Sequence, residues 1–293
     1  VGKNSAIEWT HHTFNPWWGC VKVSAGCKHC YAETWSRRVG LEIWGARAER
    51  RFFSDAHWRE PLRWNAEAVA AGVRRRVFCA SMADVFEART DLDLVRERLW
   101  TLIETTPALD WLLLTKRPEQ IAEKAPWGNR WPPNVWLGTT AENQLWANRR
   151  IPILLEHPAA VRFVSCEPLI GHLDLTRWLS PKKGEHRINW VIAGGESGSK
   201  ARPMNPEWVR SLRDQCQRAK VAFHFKQWGQ WCPDLINASA SAKRIHVVDS
   251  FGKTSAIVRL GKHAAGRRLD GETWDDFPAV GNILVHNEDI AAE

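Results

Sequence analysis

From residue 77 onward the chain alternates short apolar runs with longer amphipathic segments. The apolar runs are Val77-Phe78-Cys79, Trp111-Leu112-Leu113-Leu114, Val135-Trp136-Leu137-Gly138, Val161-Arg162-Phe163-Val164, Trp190-Val191-Ile192-Ala193 and Ala222-Phe223-His224-Phe225. Runs that short and that rich in Val, Ile and aromatic residues predict buried strands. Between them lie helical patterns, over roughly 91 to 105 and from Pro206 to Arg218, the latter with proline at a permitted first-turn position. Leu114, Gly138, Ser165 and Gly194 follow one another at 24, 27 and 29 residues, the spacing of successive strand–helix units. Strands alternating with helices imply parallel pairing. We therefore expect an α/β fold, a partial or complete (β/α) barrel, with an open doubly wound sheet as the competing arrangement.

The ends of this rhythm are less regular. Residues 1 to 19 read as extended or irregular, Tyr31 to Arg38 as a helix, and the arginine-rich stretch 41 to 76 as a solvated face over one or two helices. After Trp231 the pattern fades. Residues 234 to 246 read as a loop or insertion, and 256 to 277, with its Asp270-Gly271 turn signal, as part of a C-terminal cap. The expected division is a barrel over 1–233 and a cap over 234–293 packed on it.

Each predicted strand finishes in polar residues: Thr115 and Lys116, Thr139, Glu167, Glu196, Lys226. In a parallel barrel those ends gather at one mouth, where chemistry is done. Thr115, Lys116, Thr139, Glu167, Glu196 and Lys226 are therefore expected to open onto one cavity. Glu167 and Glu196 are the leading candidates for polar contacts there; their simpler role is an ion pair with Lys116 or Lys226 that holds the rim.

Composition adjusts this picture in three ways. The 293 residues carry 41 Lys plus Arg against 33 Asp plus Glu, a formal charge of +8, compatible with a nucleic acid or another anionic ligand and equally with an ordinary basic enzyme. Nineteen tryptophans against one tyrosine is a strong bias, most of it explicable as packing. Seven cysteines without disulfide spacing, and no apolar stretch near the roughly 18 residues of a membrane span, suggest a reduced, cytoplasmic setting.

Three of those cysteines stand together. Cys20, Cys27 and Cys30 have six residues between the first pair and two between the second. A structural zinc site wants four ligands, which His29, His11, His12 or a distant cysteine would complete. A cubane iron–sulfur cluster takes one cysteine per iron, so three leave one iron open. Spacing alone leaves both readings standing.

The wider pattern resembles the radical S-adenosylmethionine superfamily, and within it an uncharacterised phage and bacterial family of radical-SAM-like proteins (Gp37/Gp68-like, DUF5131) with a CX6CX2C motif. The resemblance is carried by Thr13-Phe14-Asn15-Pro16 with Gly19-Cys20, Gly26-Cys27-Lys28-His29-Cys30-Tyr31-Ala32, Leu114-Thr115-Lys116-Arg117-Pro118, Ser165-Cys166-Glu167-Pro168-Leu169, Gly194-Gly195-Glu196-Ser197-Gly198 and Lys226-Gln227-Trp228-Gly229. The first cysteine gap is longer than in most of the superfamily, and the Gly-Gly-Glu segment comes later.

The resemblance implies a radical-SAM-type barrel. In it Cys20, Cys27 and Cys30 ligate a [4Fe–4S] cluster whose open iron binds S-adenosylmethionine, and one electron from a donor protein or reductant generates a 5′-deoxyadenosyl radical. It makes His29, Tyr31, Thr115, Thr139 and Lys226 cofactor-contact candidates, and Glu167, Glu196 and Lys116 catalytic ones. His29 either stacks near the adenine or covers the cluster. Trp17, Trp18 and the C-terminal region are expected to narrow the barrel mouth. Cys79 and Cys166, at or near strand ends, are either small buried hydrophobes or hydrogen-atom donors to a product radical. The implied substrate is polar or anionic, with nucleic acid or a nucleotide ahead of a peptide. The rival function is a zinc-stabilised nucleic-acid-binding protein without redox activity.

Overall fold

The computed structural model describes residues 2–234, 239–248 and 252–279. Eight strands form one curled sheet in strict chain order: β1 (Gly2–Lys3), β2 (His12–Thr13), β3 (Arg75–Cys79), β4 (Leu109–Thr115), β5 (Val135–Thr140), β6 (Val161–Cys166), β7 (Trp190–Gly194) and β8 (Ala222–Gln227). β1 is antiparallel to β2, and every later neighbour pairs in parallel. The result is a partial (β/α) barrel. Its sequential order excludes the doubly wound alternative, in which the strand order reverses part-way.

The two faces follow the period-two alternation of strand side chains. Phe78, Leu112, Trp136, Phe163, Trp190 and Ile192 project to the concave side and pack with Trp9. Their neighbours Val77, Trp111, Leu113, Leu137, Val164, Val191 and Phe223 belong to the larger core under the helices. Gly138 is required by this packing. A Cβ there would lie 2.4 Å from the Phe163 ring, which crosses the interior at that level.

Helices over Tyr31–Arg38, Asp93–Glu104 and Pro206–Ala219 fall where the amphipathic pattern predicts them, and Glu60–Ala70 supplies the main helix of the arginine-rich stretch. Asn143 and Asn205 cap the helices Gln144–Leu155 and Pro206–Ala219 through side-chain oxygens.

Both ends of the chain carry strands of their own. Residues 1 to 19, expected to be extended or irregular, are extended at β1 and β2, and β2 begins the parallel series. The region after Trp231 holds a second sheet of β9 (Trp231–Pro233), β10 (Arg244–Val248) and β11 (Thr254–Arg259), in the order β10-β11-β9. β9, which ends at Pro233, pairs with β11 antiparallel, so both lie in that second sheet. Beyond it the chain returns along the outer edge of β8. Phe225 N–H donates to Trp274 O at 2.9 Å, and Asp276 N–H to Phe223 O at 3.2 Å. That covers an edge which would otherwise present unpaired backbone groups.

Candidate functional site

Parallel pairing puts the C-terminal ends of β2 to β8 at one mouth, and the segment leaving β2 crosses that mouth. Its first fixed point is Gly19, at φ +115°, where a Cβ would lie 2.4 Å from Ile43 O. Only glycine suits that backbone and that approach. Gly19 N–H donates to Met82 O at 3.0 Å. A second fixed point is Gly26, whose N–H donates to Glu142 Oε1 at 3.0 Å. Cys20, Cys27 and Cys30 hang between and beyond these anchors. All three are partly exposed, whereas Cys79, Cys166, Cys216 and Cys232 are buried.

The three thiols line one wall of a cavity of about 370 Å³. The strand ends supply the facing wall, with Lys116, Thr140, Ser165, Glu167 and Lys226, and Glu196 and His29 stand at its side. Phe78, Leu114 and Trp9 give it an apolar floor. Tyr31 lines it too and donates to Ser81 O at 2.7 Å.

Both glutamates of the cavity have cationic partners. Lys226 Nζ lies 3.1 Å from Glu167 Oε1, the rim ion pair considered from sequence. Glu196 is bound instead to Arg202, through Nε at 2.9 Å, Nη2 at 2.6 Å and the backbone N–H at 2.8 Å, and to His29 Nδ1 at 3.1 Å. Burial works to raise the Glu196 carboxyl, but the bonds from Arg202 and His29 outweigh it and hold the group below the usual glutamate range. Lys116 Nζ donates to Thr140 Oγ1 at 3.2 Å. Among the described residues no carboxylate pairs with it.

Sequence reasoning places Asp84 after a strand but does not single it out as a site residue. It lies in the loop after β3 and is 5% exposed. It accepts from Thr115 Oγ1 at 2.8 Å and Lys116 N–H at 3.0 Å, and pairs with Arg117 at 2.8 Å. Arg117 in turn donates to Val21 O at 2.7 Å and to Cys20 Sγ at 3.7 Å. Burial and the Asp84 charge push the Cys20 thiol up to about 12 against the pull of Arg117. Burial also raises Cys30. At Cys27 burial is outweighed by Lys116 and by bonds from the Val23 and Ser24 backbone, so that thiol is lowered.

Several expected residues lie elsewhere. Thr139 points to the helix side and donates to Thr115 O at 3.0 Å; its neighbour Thr140 faces the cavity. Cys79 and Cys166 are fully buried in the core under the helices, which removes them as hydrogen donors to the cavity. Trp17 is in that same core, and Trp18 packs on Trp35 and Phe53, so neither narrows the mouth. His11 and His12 do not join the cysteines as a fourth ligand. His11 Nδ1 accepts from Arg76 N–H at the opposite end of the sheet, and His12 stacks on Trp64. The signal that separates Thr140 and Ser165 from Thr139 and Cys166 is strand parity.

The donor set suits a cubane cluster in number and type: three free cysteines facing one cavity, with no fourth among the remaining buried thiols. Their side chains do not form a ready-made ligand group. Among the described residues no three His, Cys, Asp or Glu side chains are gathered closely enough to hold a metal ion.

A parallel half-barrel with a cysteine-lined cavity at its C-terminal mouth defines the class of site. The chain belongs to the family described as a protein of unknown function (DUF5131), which it matches over residues 4–278. No curated protein matches it. Among solved structures it is similar to spore photoproduct lyase complexed with dinucleoside spore photoproduct, at 14% identity and TM-score 0.46, over 88% of this chain and 71% of that one. A mutant of the same lyase with bound AdoMet and dinucleoside spore photoproduct is similar at 13% identity and TM-score 0.43, over 88% and 73%. Among the described residues no helix is long and apolar enough to cross a membrane.

Proposed function

We propose that the protein is a radical S-adenosylmethionine enzyme whose cluster is held by Cys20, Cys27 and Cys30. The observation that carries this reading is the partition of the cysteines: these three reach a single cavity at the strand C-termini, and the other four are packed away from it. Bound there with S-adenosylmethionine, a [4Fe–4S] cluster would supply one-electron reductive cleavage of the sulfonium to a carbon radical, given an electron donor protein or reductant.

The chain's own residues do the rest. Lys116 offers an ammonium without a carboxylate partner to an anionic group of the cofactor or substrate. The Glu167–Lys226 pair and Glu196, fixed by Arg202, present carboxylate acceptors to amino or hydroxyl groups. The apolar floor of Phe78, Leu114 and Trp9 excludes water from the reacting centre. Lys116 and Lys262 around the cavity favour a polar or anionic substrate, nucleotides and nucleic acid included.

The test is anaerobic reconstitution with iron and sulfide, followed by reductant and S-adenosylmethionine, with mass spectrometry for 5′-deoxyadenosine. About four irons per chain and cleavage that both depend on Cys20, Cys27 and Cys30 support the proposal. Tight zinc with no iron–sulfur absorbance overturns it in favour of a zinc-stabilised nucleic-acid binder.

A further inference from the structure

Arg117 is 7% exposed and has no part in the chemistry described above. It lies two residues beyond the end of β4, and its guanidinium is fixed from one side by Asp84, itself held by Thr115 Oγ1, Lys116 N–H and Phe86 N–H. From the other side it reaches two consecutive residues of the cysteine loop. Nη2 donates to Val21 O at 2.7 Å, and Nη1, shared with Asp84 Oδ2 at 2.8 Å, donates to Cys20 Sγ at 3.7 Å. A planar fork of donors can make these contacts at once; a point charge cannot. The three cysteines are thereby unequal. Cys20 alone receives a charged donor at its sulfur, while Cys27 has the Ser24 hydroxyl at 3.8 Å.

We propose that Arg117 is a positioning residue that aims the Cys20 sulfur into the cavity and, by donating to it, raises the reduction potential of the cluster it helps to hold. The proposal rests on the cluster reading above. Reduction adds negative charge to a cluster and its ligand sulfurs, and hydrogen bonds to those sulfurs favour the reduced state. Asp84 cancels the net charge of the guanidinium, so the sulfur feels an oriented pair with its positive end toward Cys20. Removing the guanidinium and removing its counter-charge should therefore move the potential in opposite directions. A purely structural role predicts no such opposition.

The experiment reconstitutes wild type, Arg117→Gln and Asp84→Asn anaerobically with iron and sulfide. Iron is counted, and the reduced cluster is read by electron paramagnetic resonance at the poise where the wild type is half reduced. Arg117→Gln should keep the iron count and lower the reduced-to-oxidised ratio by about tenfold. Asp84→Asn should raise it. An unchanged ratio in Arg117→Gln overturns the proposal. Should that variant fail to hold iron, Asp84→Asn decides: a raised ratio supports the proposal, and an unchanged ratio, a lowered ratio or loss of the cluster overturns it. A wild type that holds no cluster is a different result, visible in the iron count, and overturns the cluster reading and this proposal with it.

Discussion

Glu142 Oε1 accepts the backbone N–H of Gly26 at 3.0 Å, and through that one bond the segment after β5 holds the loop between Cys20 and Cys27. The same carboxylate takes Arg150 Nη1 at 2.9 Å through Oε2. Both side chains are almost completely withdrawn from water.

A buried ion pair broken on one side leaves an uncompensated charge. Glu142→Ala should destabilise the protein by about 3–5 kcal/mol in urea unfolding. Glu142→Ala with Arg150→Met should recover part of that loss, because no buried charge is left alone. Equal losses in the single and double variants would show that the pair is not what stabilises this end of the sheet.

Adjacent threonines on β5 give a second test. Thr139→Val removes only a bond to Thr115 O and should cost about 1 kcal/mol of stability. S-adenosylmethionine binding by the reconstituted protein should be unchanged. Thr140→Val removes the oxygen that accepts from Lys116 Nζ and should weaken binding by about fivefold, the equivalent of one ordinary hydrogen bond. Calorimetric titration distinguishes the two, and similar losses in both would contradict the assignment of the faces.

The difference between these threonines marks how far the sequence can be read. Continuous apolar runs such as Trp111 to Leu114 are visible because a parallel strand buried on both faces needs no polar alternation. β10 is invisible for the opposite reason. Its residues alternate between exposed and half-buried, and Arg244, Ile245 and His246 do not form a run. β2 has two residues, too few for any periodicity. At the site, strand ends were legible but the face was not, since a one-residue error in parity exchanges Thr139 for Thr140 and Cys166 for Ser165. Asp84 and Glu142 lay outside any recognisable motif. Their importance comes from contacts across the sheet with Arg117 and Gly26, which no local pattern encodes.

His224 predicts a pH dependence. It is fully buried on β8, and burial lowers its imidazole from 6.5 to about 4; Asp275 opposes the shift, while Arg267, Lys226 and Arg76 add to it. Between those values the unfolded chain binds a proton that the folded chain refuses. The stability gained by keeping His224 neutral is complete above pH 6.5 and is lost as pH falls toward 4, by up to about 3 kcal/mol. His11 is lowered in the same way and adds to the trend. Urea midpoints at pH 7 and pH 4.5 should therefore differ less in His224→Gln than in the wild type. An identical difference would mean that the folded protein accommodates the charged ring.

The reactivity of the thiols themselves can be read with neither cluster nor substrate present at the start. Native protein treated briefly with N-ethylmaleimide should label at Cys27, Cys30 and Cys20, and after urea denaturation at all seven cysteines. Thiolate is the reacting species. Cys27 should react first, because Lys116 and its backbone bonds lower it, and Cys20 last, because burial and Asp84 raise it to about 12. Peptide mass spectrometry gives the order directly. Rapid native labelling of Cys79 or Cys166 would contradict their burial on the helix side. Repeating the reaction after anaerobic reconstitution links the experiment to function. Protection of Cys20, Cys27 and Cys30 together, with about four irons bound, identifies them as the ligands. A Cys20 that still labels at its original rate in iron-loaded protein would remove it from the ligand set and leave two cysteines, too few for the proposed centre.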